Sequence, residues 1–102
     1  MLLIKKLEDQ IGEELHDSKK YIKCALKYKE DHKDLADLYY QLSQEEMGHA
    51  DKLHKKVVYE IEDYRRKEGE PPAEMLAVYN YLHDKEIEKA KEIKVLWDMY
   101  KS

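Results

Sequence analysis

At 102 residues the chain has the length of one small domain. Charged residues make up 41% of it, Gly (3), Pro (2) and Phe (0) are scarce, and the net charge is −4. This excludes a strand-rich fold, which needs turn residues and β-branched runs. Acidic and basic residues are mixed along the whole length, so there is no basic stripe for nucleic acid. No apolar run approaches the ~20 residues that cross a bilayer.

The segment Met1-Leu2-Leu3-Ile4-Lys5-Lys6 lacks the apolar core and cleavage site of a signal peptide. A single cysteine, Cys24, allows no internal disulfide, and a cytoplasmic, reducing compartment is the expectation. Cys24 reads as a small packing residue rather than a redox centre.

The chain reads as all-α, a single domain of three helices at about 2–30, 32–68 and 73–100. The first carries Ile4, Leu7, Ile11, Glu14, Ser18, Tyr21, Ala25 and Tyr28 along one side, with Leu15, Ile22 and Leu26 widening the face. It breaks at Lys29–Asp34, where Asp31 is placed to cap the next helix and Asp34 lies near the capping-box position. The second helix aligns Leu35, Leu38, Leu42, Glu46, His49, Leu53, Val57 and Ile61, and so buries a carboxylate and an imidazole three residues apart in an apolar stripe. Gly69-Glu70-Pro71-Pro72 ends it, with Gly69 at C′ and prolines that cannot continue the helix. The third helix carries Tyr79, Leu82, Glu86, Ala90, Ile93, Trp97 and Tyr100. Trp97 and Tyr100 are expected against a neighbouring helix or in an oligomer contact.

Burying an unpaired charge is costly, and a metal ion would compensate Glu46 and His49. A second Glu-x-x-His, Glu13 to His16, faces the charged side of the first helix. In an antiparallel hairpin turning near Asp31, Glu14 lies 17 residues before the turn, and Glu46 and His49 lie 15 and 18 residues after it. At ~1.5 Å per residue the three groups share one height. Carboxylate oxygens suit Fe²⁺ and Mn²⁺, and Zn²⁺ also accepts this donor set.

These residues resemble the ferritin-like di-iron proteins, which include ferritins, rubrerythrins and encapsulated ferritins. The match is Glu14, Tyr21 seven residues on, and then Glu46-Met47-Gly48-His49, within Gln44–Asp51. It spans about residues 7–60. A complete di-iron bundle takes a Glu from each of two helices and Glu-x-x-His from each of the other two, so this chain supplies half a site. The resemblance therefore implies a ferritin-like bundle completed by homodimerisation, as short encapsulated ferritins complete theirs. It implies two iron ions per dimer site held by Glu14, Glu46 and His49 of each chain, and oxidation of Fe²⁺ by O₂ or peroxide. Tyr21 would stand close enough to donate a hydrogen bond or an electron. Rubrerythrin-type peroxide reduction is disfavoured, because no Cys-x-x-Cys is present. The alternative is a non-enzymatic helical interaction module in which the same polar groups only fix helix register.

The remaining polar groups read as ordinary. A short second turn runs the third helix back along the second and sets Glu86 off the level of Glu46, as a solvated or paired acid or, at most, an entry-site ligand. His16, His32, His54 and His83 are expected on the surface, with His54 beside Asp51 on the outer side of the second helix.

Overall fold

In the computed structural model, which describes residues 2–102, three helices run up, down and up: α1 (Leu2–Tyr28), α2 (Lys33–Glu68) and α3 (Ala73–Lys101). They form a rod 56 × 18 × 17 Å across its principal axes. No strand occurs among the described residues, as the composition requires.

Both turns follow from local chemistry, one of them with a correction. Gly69 adopts φ 87°, and its N–H donates to the Arg65 carbonyl at 3.2 Å. Glycine reaches this left-handed region without a Cβ clash. At the first turn the N-cap position is held by His32, not Asp31, and no side chain caps it. The His32 N–H donates to the Tyr28 carbonyl at 2.9 Å, which keeps Asp31 in the turn and starts α2 one residue later. Asp34 accepts the Leu35 N–H at 3.0 Å and pairs with His32 Nδ1 at 2.8 Å, placing a negative charge at the helix N-terminus.

The buried stripe of α1 includes Ile4, Leu7, Ile11, Leu15, Ser18, Ile22 and Ala25, alternating three- and four-residue steps as in coiled-coil packing. On α2 the buried stripe is Ala36, Ser43, Met47, Ala50, Val57 and Ile61. This corrects the expected seam. Val57 and Ile61 are shared, but toward the N-terminus of α2 the core shifts by one residue, about 100° around the helix. Small side chains line the α1–α2 contact, where those two backbones run closest. Ser18 Oγ donates to the Ser43 carbonyl at 2.8 Å, and Ser43 Oγ donates to the Ser18 carbonyl at 2.7 Å. Trp97 of α3 closes the arrangement, its Nε1–H donating to Ser43 Oγ at 2.8 Å. Ser43→Ala strands the Trp97 N–H and is expected to lower unfolding free energy by about 1–3 kcal/mol, measured by urea denaturation.

The shift leaves the leucine seam of α2 on the hairpin margin. Leu38 is 49% exposed, Leu35, Leu42 and Leu53 are half-buried, and His49 is exposed. Tyr39 joins this margin and stacks on Tyr21 and Tyr28 of α1, with ring centroids 6.1 and 6.2 Å away.

Candidate metal centre

Glu14 of α1 and Glu46 and His49 of α2 meet, as the level argument requires. One ligand atom of each lies within 4.8 Å of the other two. His49 Nδ1 stands 3.5 Å from Glu14 Oε2 and 3.6 Å from Glu46 Oε1. Donors at about 2.1 Å from one ion are separated by roughly 3.0–3.5 Å, so these groups need only a slight closing to share a cation. Glu14 Oε2 is buried and has no hydrogen-bond partner, an oxygen left for a cation to satisfy.

The electrostatics favour a positive charge there. The Glu46 carboxyl is pushed up to about 7, first by the neighbouring Glu14 carboxyl that bonds to its protonated form, then by burial, with His49 pulling the other way. Two carboxylates this close resist ionising together. The expectation of burial holds only in part. The side chains of Glu14 and Glu46 are 28% and 20% exposed, but that of His49 is 54% exposed. The cluster lies in the open seam rather than in the core, because α3 covers the opposite face of the hairpin.

Tyr21 stacks on Tyr39 rather than bonding to the cluster. It lies seven residues beyond Glu14, about 10 Å along the axis. Among the described residues no hydrogen bond joins it to Glu14, Glu46 or His49.

Two expectations of surface placement fail, those for His54 and His83, both of which are half-buried. His54 occupies the buried stripe between Ala50 and Val57. Its ring stacks on that of His83, with centroids 4.6 Å apart and planes 10° from parallel. Glu86 is off the level of Glu46, as expected, but it is not solvated: its side chain is 13% exposed. Burial, then the adjacent Glu8 carboxyl, pushes Glu86 up to about 9. Burial, then His83, lowers the His54 imidazole. Counted from the two turns, the residues of this second cluster share one level. Glu8 and His54 are each 23 residues from Asp31. His54 lies 15 residues before Gly69, and Glu86 lies 14 after Pro72. His54 was hidden by the wrong choice of α2 face, and Glu8 by its place beside Leu7 rather than on the nominal stripe.

No protein-family model matches the chain, and no curated protein or solved structure matches it.

Proposed function

We propose that the chain is an iron-binding protein of ferritin-like type, in which two copies pair through the open faces of their α1–α2 hairpins and oxidise Fe²⁺ at the joint site. The observation that carries this reading is half a ligand set in an open seam. Two carboxylates and one imidazole converge within 4.8 Å, beside Leu38, which the monomer leaves 49% exposed. A twofold axis through this face doubles the set to four carboxylates and two imidazoles. It also buries Leu38 and the exposed side of His49.

Fe²⁺ is the substrate, and each ion surrenders one electron to O₂ or peroxide. Glu46 and His49, three apart on one helix, project side by side and hold one ion between them. Glu14 reaches across from α1, where its carboxylate can bridge toward the partner's ion. The acid pair supplies negative charge that grows more favourable as Fe²⁺ becomes Fe³⁺. Tyr39, Tyr21 and Tyr28 pack the next two turns and separate the cluster from the hairpin turn.

The joint-site reading is tested by Leu38→Glu. Leu38 is half exposed in the monomer, so the substitution is expected to alter monomer stability by no more than ~0.5 kcal/mol. Sedimentation should show a change from dimer to monomer, and aerobic Fe²⁺ oxidation should fall with it. A monomeric wild-type chain would end the shared-site reading. A dimer that takes up no iron would leave the interaction module.

A further inference from the structure

We propose a second metal site, separate from the first, in which Glu8 of α1, His54 of α2, and His83 and Glu86 of α3 hold one Zn²⁺-type divalent ion that fastens α3 to the hairpin. Donor atoms of His54, His83 and Glu86 lie within 4.8 Å of one another. His83 Nδ1 is 3.8 Å from Glu86 Oε1. The Glu8 carboxyl adjoins that of Glu86.

Three unsatisfied atoms mark this as a binding site rather than a chance meeting of side chains. Glu8 is only 4% exposed, and neither of its carboxylate oxygens has a hydrogen-bond partner. His83 Nδ1 is likewise buried without a partner. A buried carboxylate without donors is costly, and the nearest polar group is a second acid, which can offer nothing but a shared proton. A dication satisfies both acids and the imidazoles together. A cavity of about 110 Å³, lined by His54, His83 and Glu86 with Met47 and Ala50, opens beside the donors and gives the ion room.

The donor set indicates which ion. Two imidazoles and the Glu86 carboxylate are the converging donors. Glu8, whose carboxyl adjoins that of Glu86, would supply the fourth of a closed tetrahedral shell once the stacked His54 and His83 rings turn their nitrogens onto one point. A closed shell is the pattern of a structural rather than catalytic zinc site. Nitrogen and oxygen donors prefer Zn²⁺ over Fe²⁺ and Mn²⁺. The first cluster has two carboxylates to one imidazole and an open side, so the two sites differ in both metal preference and access. They lie five to eight residues apart along α1 and α2, about 8–12 Å in rise.

The site also stands where α3 needs an anchor. Among the described residues, the buried positions of α3 are Ile93 and Tyr100, both in its last third. Residues 73–92 contribute no fully buried side chain to the core, and His83 and Glu86 lie within that stretch. Only partly buried side chains such as Tyr79 and Ala90 pack on the core there, and an ion shared by three helices would add the attachment that this thinner packing lacks.

The test uses the full chain, stripped of metal with a chelator and titrated with Zn²⁺ by calorimetry, with Co²⁺ absorption reporting tetrahedral coordination. Wild type and Glu46→Ala should each bind Zn²⁺ at this site, one ion per chain. His83→Asn and Glu86→Gln, each made in the Glu46→Ala background so that the first cluster cannot take up Zn²⁺, should bind it ~100-fold or more weakly, beyond the 10–100-fold cost of losing an outer-shell partner. Zn²⁺ should slow amide hydrogen exchange across residues 83–92 in wild type and not in Glu86→Gln. Glu86→Gln keeps side-chain size and removes only the ionisable carboxyl, so it serves if His83→Asn fails to fold. Absence of Zn²⁺ binding by wild type, binding that survives both ligand substitutions, or binding abolished by Glu46→Ala would overturn the site. The iron reading stands or falls separately, since Glu46→Ala removes iron oxidation and spares zinc.

Discussion

Glu46→Ala should lower the initial rate of aerobic Fe²⁺ oxidation by ~100-fold or more, the scale of losing a group that stabilises developing charge. Glu46 is the residue on which the first cluster turns. It shares the ion-binding position with His49 at 3.6 Å, and the Glu14 carboxyl opposite raises its proton affinity. Removing it from both chains leaves one carboxylate and one imidazole for each iron, too few donors to hold two ions against water. It also removes the repulsion between the two acids, so the metal-free variant should fold at least as well as the wild type. Thermal melts of the metal-free proteins, beside the growth of ferric absorbance after mixing with Fe²⁺ in air, separate lost chemistry from lost structure. Equal oxidation by variant and wild type, or a wild-type rate no faster than buffer, would remove the ferroxidase reading.

Glu86→Gln should make the metal-free protein more stable at pH 8 by about 1–3 kcal/mol, or ~5–20 °C in melting temperature for a chain of this length. The sign follows from proton linkage. Burial and Glu8 raise the folded-state value of Glu86 from 4.5 to about 9, so the folded protein holds a proton that the unfolded chain releases. Its contribution to stability is complete below pH 4.5 and is lost as pH rises toward 9. Glutamine fixes the neutral state and escapes that loss, so the two proteins should converge at pH 4–5 and diverge at pH 8. Water in the groove beside Glu8 and Glu86 screens the pair and holds the effect below its dry-interior value. Added Zn²⁺ reverses the order. At 100 times its dissociation constant a ligand stabilises by about 2.7 kcal/mol, and only the wild type retains the carboxylate. Melts across pH, with and without Zn²⁺, check both halves. Parallel pH curves for the two metal-free proteins would refute the buried-pair assignment.

The residues differ in how far local information placed them. Gly69 and Pro71–Pro72 end α2 where their backbone chemistry requires, because a left-handed glycine and a missing N–H act without help from tertiary structure. Asp31 did not cap α2, because the choice among adjacent turn residues depended on which N–H the Tyr28 carbonyl took. Glu14, Glu46 and His49 came together as read, since height along an antiparallel hairpin depends only on residue count and rise.

The rotation of α2 was not legible in this way. A stripe of Leu35, Leu38 and Leu42 is the more apolar side, yet Ala36, Ser43, Met47 and Ala50 form the core. Close packing of α1 on α2 selects small side chains at their contact, and a single sequence does not say which face of α2 its neighbour will take. That rotation sent His49 toward solvent and carried His54 inward to His83 and Glu86.

The sequence by itself determined three helices, their two turns and the shared height of Glu14, Glu46 and His49, because helix rise and turn chemistry are local. The tertiary structure alone decided which face of α2 is core, and with it the exposure of His49 and the burial of Glu8, His54, His83 and Glu86. Azimuth around a helix is fixed by the neighbours that pack against it, and those neighbours are distant in the chain.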